Sequence, residues 1–252
     1  MHARIVKEDK RQHFGITELD SKIAFSNEIW LISGAPGSGK TLLSTHFANN
    51  GAEHNEPIVY VTVNQSPQRI AKMFAQHWPA LEHLLKNKQM AILDPSPYFT
   101  QYRTLQKKEK FNRRTAWDEL WSFTQDLVKQ CNDIYAKRII LDPVTPLFLG
   151  YSTEVELWDM AQTFLQSLEN IAEASTIITH IQTENSRYQL IGATLESLCH
   201  GSLNICVNRS KPNEFIVQIH KTRAYMHDYM PIHITQDPNM RLLSAHSITV
   251  KI

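Results

Sequence analysis

The chain has 252 residues, 42% of them hydrophobic and 20% charged, and carries a net charge of +1. That is a globular composition, which excludes a disordered or collagen-like chain, and the near-zero charge argues against a protein that binds nucleic acid over its whole surface. No apolar run approaches the ~20 residues of a membrane span, the first ten residues hold no apolar signal core, and the expected compartment is the cytoplasm.

Residues 1–13 read as a polar N-terminal arm. Glu28 to Ser33 is a short apolar run, read as a buried strand, and it ends where three of the chain's eight glycines (Gly34, Gly37, Gly39) fall within six positions. A helix is expected over 40–50 and a second strand from Pro57 to Val63. Ser66-Pro67 supplies a cap and a first-turn proline for a helix whose apolar face is Ile70, Met73, Phe74 and Trp78. Met90 to Leu93 is a third strand.

Thr115-x-x-Asp118 resembles a capping box, and the helix behind it is expected to turn Trp117, Leu120, Trp121, Leu127, Val128 and Cys131 inward. Arg138 to Asp142 is a strand ending in a carboxylate. Thr153-x-x-Glu156 caps a further helix, with Leu157, Trp158, Ala161, Phe164, Leu165 and Leu168 inward, and Ser175 to His180 is the next strand. Beyond residue 200, Leu203–Asn208, Glu214–His220 and Pro231–Thr235 are strand-like with no helix between them. The expected fold is α/β, a mostly parallel twisted sheet flanked by helices with antiparallel strands at its C-terminal edge. A single domain is expected over 14–236, with 237–252 as an extension.

Cys131, Cys199 and Cys206 form no Cys-x-x-Cys pair, and the twelve histidines show no zinc spacing, so reduced thiols and no structural metal are expected. The chemistry lies in the glycine cluster. Gly34-Ala35-Pro36-Gly37-Ser38-Gly39-Lys40-Thr41 fits G-x-x-x-x-G-K-[ST] in full, between a strand and a helix, and Leu42 follows in the first helical turn. Glycines let several N–H groups converge on phosphate oxygens, and the helix N-terminus adds the positive end of its dipole. Lys40 is assigned to the β- and γ-phosphates and the Thr41 hydroxyl to Mg²⁺. Ile139-Ile140-Leu141-Asp142 reads as a Walker B strand, whose Asp142 orients water on the metal.

Together these residues resemble the RecA superfamily and, within it, its single-domain KaiC-like branch. The likeness is carried by Gly15-Ile16-x-x-Leu19-Asp20, by Ile32-Ser33-Gly34 into the P-loop, by Tyr60-Val61-Thr62 with Ser66-Pro67, by Asp142-Pro143-Val144-Thr145-Pro146-Leu147, and by Lys221-Thr222-Arg223-Ala224-Tyr225-Met226-His227. The resemblance implies a RecA-like fold, ATP as ligand, and a homo-oligomeric ring, commonly a hexamer. It also implies that Lys221 and Arg223 reach the γ-phosphate held by the neighbouring subunit, where a cation offsets phosphate charge. The short archaellum members of the branch supply the functional picture of a nucleotide-gated scaffold.

The sequence departs from that pattern in one chemically important place. Family members carry one or two glutamates before the Ser-Pro, and here Asn64-Gln65 stand there. A carboxylate accepts a proton from water and an amide does not, so Gln65 is left to orient water, and slow hydrolysis is expected. Leu198-Cys199 occupy the positions of the autokinase phospho-acceptors, which speaks against autophosphorylation, and Ala224 replaces a usual glycine. The rival expectations are an ATPase whose base comes from elsewhere, such as Glu184, and a DNA-handling recombinase or helicase relative.

Residues 99–114 hold six cations, one acid and the aromatics Tyr102 and Phe111. They suit docking of an acidic protein partner or nucleic acid, but near-zero net charge favours a solvated loop over both. His180 and Gln182 fall where RecA-like proteins place a γ-phosphate-sensing group, a position that equally suits satisfied strand-end polar residues.

Overall fold

The structure, a computed structural model, describes residues 11–23, 26–99, 113–151, 153–222, 230–237 and 240–244. Its elements run α1 (Thr17–Asp20), β1 (Ile29–Gly34), α2 (Lys40–Glu53), β2 (Ile58–Thr62), α3 (Pro67–His77), α4 (Pro79–Lys86), β3 (Met90–Leu93), α5 (Arg113–Asp133), β4 (Arg138–Asp142), α6 (Thr145–Phe148), α7 (Glu154–Glu169), β5 (Ser175–Ile181), α8 (Ser186–Leu198), β6 (Gly201–Val207), β7 (Glu214–Thr222), β8 (Ile232–Gln236) and β9 (Leu242–Ser244). They build one nine-stranded sheet in the order β3-β2-β4-β5-β1-β6-β7-β8-β9. β3 through β6 of that order are parallel, and β7, β8 and β9 are added antiparallel. The α/β architecture with an antiparallel edge is therefore as expected.

Strand alternation explains the two cores. In β1, Trp30 and Ile32 enter the layer under α2, α3 and α4, while Ile29 and Leu31 enter the layer under α5, α7 and α8. With both faces covered, all six β1 residues are buried, which is why the strand reads as one apolar run. β6 and β7 are covered on one side: Leu203, Ile205, Phe215, Val217 and Ile219 are buried, while Cys206, Gln218 and His220 alternate with them at the surface.

The lead-in motif gains a physical reason. Gly15 adopts φ +84, so the consecutive N–H groups of Phe14, Gly15 and Ile16 converge on the Asp20 carboxylate at 2.7, 2.8 and 2.9 Å. That turn delivers Phe14, Ile16 and Leu19 to the core. A second tie is Arg138, only 2% exposed at the start of β4. Its guanidinium donates to Glu56 (2.5 Å), to the carbonyls of His13 (2.7 Å) and Phe47 (2.6 Å), and to Asn50 (3.2 Å), and it stacks over the Phe47 ring. The lead-in, α2 and β4 are thus held by one buried cation that makes four hydrogen bonds from its five donors.

Several local expectations change. α5 starts at Arg113, so Thr115 lies inside the helix and makes no capping box with Asp118. Its inward face is Ala116, Leu120, Phe123, Leu127 and Cys131, and the flanking Trp117 and Trp121 are 40% and 43% exposed. Trp158 on α7 is likewise 42% exposed. Hydrophobicity alone points tryptophan inward, but the helical phase set by its leucine and phenylalanine neighbours leaves it at the edge of the buried stripe. The capping box of α7 forms as expected: Thr153 Oγ1 accepts from Glu156 N–H at 3.2 Å and Glu156 answers at 3.3 Å. Helices α4 and α8 were not anticipated, and β9, within 237–252, pairs with β8 and accepts Glu18 N–H on Ser244 at 2.9 Å.

Candidate nucleotide site

The carboxyl ends of β1, β2, β4 and β5 lie side by side, and the motif residues gather there, as ligands do in open α/β sheets. The glycine loop leaves β1 at Gly34 and enters α2 at Lys40. Gly37 and Gly39 have φ +77 and +97, a region costly to other residues. A Cβ on Gly34 would lie 2.4 Å from the Ile205 carbonyl, and one on Gly39 would lie 2.6 Å from the Phe215 ring. Strands β6 and β7 therefore form a wall against which only a glycine loop fits. Ala35, Pro36 and Gly37 form the exposed lip, with Ser38 buried beneath.

The cradle fits a polyphosphate on two grounds. First, no side chain caps α2, whose N-cap is Gly39 and whose first internal bond runs from Leu43 N–H to Gly39 O. The N–H groups of Lys40, Thr41 and Leu42 precede that bond and are the orphan donors of a helix start, suited to an anion. Second, the Lys40 ammonium, 7% exposed, lies in the loop and donates to the Gly34 and Ala35 carbonyls at 2.8 and 2.7 Å. Burial lowers its pKa, while Asp142 pulls it back up. A desolvated cation among carbonyl dipoles is matched to a phosphate, which supplies full negative charge.

Asp142 ends β4, 7% exposed, and each oxygen has a hydroxyl partner: Tyr60 donates to Oδ2 at 3.1 Å and Thr179 to Oδ1 at 2.5 Å. These two residues fix the carboxylate; sequence reasoning missed them as site residues. They follow from strand register, because Tyr60 and Thr179 sit on the strands flanking β4. Thr41 and Asp142 are the pair that would hold Mg²⁺, one by its hydroxyl and the other through water, and the ion would screen the β- and γ-phosphates.

Between β1 and β4, β5 ends in His180 and Ile181. Thr145 Oγ1 takes the Ile181 N–H at 2.9 Å and lies 3.0 Å from His180 Nδ1. Burial, joined by the Lys40 charge, lowers the His180 pKa to about 4, so the ring is neutral at neutral pH. Its Nε2 edge faces α8, where a Cβ on Gly192 would come within 2.7 Å. Gln182 donates its N–H to the Gly34 carbonyl at 2.9 Å and accepts from Asn204 at 2.9 Å.

Gln65 lies just past β2 on the same sheet edge, its carbonyl taking the Thr62 hydroxyl at 3.0 Å. Asn64 is exposed and Gln65 half-buried. Lys221 lies elsewhere. It pairs with Ser202 at the amino end of β6, and its ammonium donates to the Glu196 and Ser197 carbonyls at the end of α8, at 2.6 and 2.8 Å. Arg223 and Ala224 lie outside the described residues, as do residues 100–112 of the basic stretch. Cys199, at the C-cap of α8, is fully buried.

A parallel sheet with a glycine loop at β1, an uncapped helix behind it and a hydroxyl-braced carboxylate on β4 defines a P-loop nucleotide-binding protein of the RecA-like kind. The profile of a protein family described as "ATPase: KaiC" matches residues 13–240, and the chain belongs to this KaiC-like ATPase family. It is 41% identical over 127 residues to the circadian clock oscillator protein KaiC of Parasynechococcus marenigrum, covering 48% of this chain and 22% of that protein. It is 30% identical over 141 residues to a UPF0273 protein of Thermotoga maritima, covering 56% and 54%. The matched stretch thus spans about half the length of the UPF0273 relative. The fold is that of a KaiC-like protein from Pyrococcus horikoshii, with a TM-score of 0.72 at 22% identity over 93% of this chain and 98% of the other. Among the described residues no helix is long and apolar enough to cross a membrane.

Proposed function

We propose that the protein binds ATP with Mg²⁺ in the glycine loop, assembles into a homo-oligomeric ring with nucleotide at its subunit interfaces, and hydrolyses it slowly as a nucleotide-gated switch or scaffold. The observation that carries this reading is a mismatch within one site. The gripping parts are complete, from Lys40 and the uncapped α2 to the braced Asp142, while the edge residues beyond β2 are the amides Asn64 and Gln65. Lys40, Thr41 and Asp142 are the binding and metal-holding residues of this reading, and Gln65 orients the attacking water.

The position of Lys221 supports the assembly. Phe215 packs against Gly39 at one end of β7, and Lys221 lies six residues further along, about 20 Å away. A lysine side chain does not span that distance to its own loop, so a phosphate contact from Lys221 comes from another subunit. A cation delivered across an interface makes the site depend on assembly.

Molecular mass and phosphate release, measured without nucleotide, with ADP and with ATP, test the proposal. The expected result is a larger species with ATP and slow release. Lys40→Ala abolishes both by weakening nucleotide binding roughly 10–100-fold. Gln65→Glu, which restores a carboxylate, raises release about 10²-fold. Fast turnover that Gln65→Ala abolishes and Lys40→Ala leaves intact sinks the reading.

A further inference from the structure

The outer helix layer carries a surface that the nucleotide site does not use. Trp117 and Trp121, one turn apart on α5, stand 40% and 43% exposed. With Met160, Thr163 and Phe164 of α7 they line a shallow dimple of about 10 Å³, room for roughly one water. That is far below the roughly 300 Å³ of small-molecule pockets, so the face offers an apolar surface to lie against rather than a pocket to enter. Trp158 (42%) and Val155 (70%) stand on the same helix layer. Large aromatics at this exposure are the residues enriched at interface centres.

Acids outnumber cations on the two helices. α7 carries Glu154, Glu156, Asp159 and Glu169 and no cation, and α5 carries Asp118, Glu119, Asp126 and Asp133 against Arg113, Arg114 and Lys129, eight acids to three cations on the two helices. The whole chain has a net charge of +1, so this acidity is local. Asp118 and Asp159 are exposed beside the tryptophans on the two helices. Carboxylates beside indole faces make a chemistry for cations, by ion pairing and by cation–π contact together.

We propose that the α5/α7 face is a docking site for a cationic amphipathic segment of a separate partner protein. The segment lays its apolar face against the exposed Trp117 and Trp121, and lysines or arginines over Asp118, Asp159 and the indole faces. This is recognition of an amphipathic helix by an aromatic face, with the charge supplying choice of partner. It does not depend on nucleotide.

The other two tryptophans make the test clean. Trp30 and Trp78 are 1% and 2% exposed, so acrylamide-quenchable emission comes from Trp117, Trp121 and Trp158. The probe is a synthetic helical peptide of about 18 residues with leucines on one face and lysines on the other. Its controls replace lysine with glutamate or scramble the order. The lysine peptide is expected to protect the emission from quenching, to bind more weakly as salt rises, and to exceed both controls at least tenfold. Trp121→Ser weakens it about tenfold or more, and Asp118→Asn with Asp159→Asn several-fold, at unchanged melting temperature. Equal binding of the glutamate or scrambled peptide, or full affinity in both variants, overturns the proposal. So does protection that grows with protein concentration alone alongside the mass, because the occupant is then a second copy.

Discussion

At the scale of the residue, the site depends on partners that neutralise or brace a group no motif describes alone. His180 is the clearest case. It is 1% exposed, and burial together with the Lys40 charge lowers its pKa to about 4. In the unfolded chain the same imidazole titrates near 6.5. Between those values the unfolded state binds the extra proton, so stability is full above 6.5 and falls as the pH drops. The loss approaches about 3 kcal/mol near pH 4. Urea unfolding as a function of pH should show that His180→Asn flattens this decline. A residual slope is expected from His46, whose pKa burial also lowers. An unchanged pH profile in the variant excludes His180 as the source.

At the scale of the element, local propensity and tertiary packing disagree, and the magnitudes decide. Gly51 lies in the last turn of α2, where alanine is favoured over glycine by about 1 kcal/mol. A Cβ there, however, would sit 2.4 Å from both Cδ and Nε of Arg138, whose guanidinium is held by Glu56, Asn50 and two carbonyls. Moving it costs packing and hydrogen bonds together, roughly 1–3 kcal/mol for overpacking alone. Gly51→Ala is therefore expected to destabilise by about 1–2 kcal/mol in denaturant unfolding; a gain in stability contradicts the role given to Arg138. The same contest explains which elements were legible. The α7 capping box was, because its partners are three residues apart and every contact is local. The outward turn of Trp117, Trp121 and Trp158 was not, because hydrophobicity says how much burial a residue favours and not which helical face has a partner. Helix α8 escaped notice because its amphipathic pattern is broken by Gly192, which gives way to the His180 ring.

At the scale of the whole molecule, the sheet separates the glycine loop from Lys221 and so sets what one chain can do alone. If each proposed site joins Lys40 of one subunit to Lys221 of the next, Lys40→Ala and Lys221→Ala are each defective as pure proteins. Mixing them restores intact sites at random. Phosphate release from an equal mixture should then recover to about a quarter of the unmodified level, as a heterologous ring predicts. Recovery of nothing, or a Lys221→Ala protein with normal release, places the lysine outside the site. The sequence by itself determined the nucleotide loop, the Asp142 strand, the α/β class and the exchange of acids for Asn64-Gln65, because each is written in contiguous residues whose chemistry depends on near neighbours. Only the tertiary structure decided that Tyr60 and Thr179 brace Asp142, that Arg138 binds the lead-in to α2, and that Lys221 faces away from its own loop. Those relations join residues far apart in the chain, through strand order and register, and the hydrophobic pattern that makes a strand does not say which strand will lie beside it.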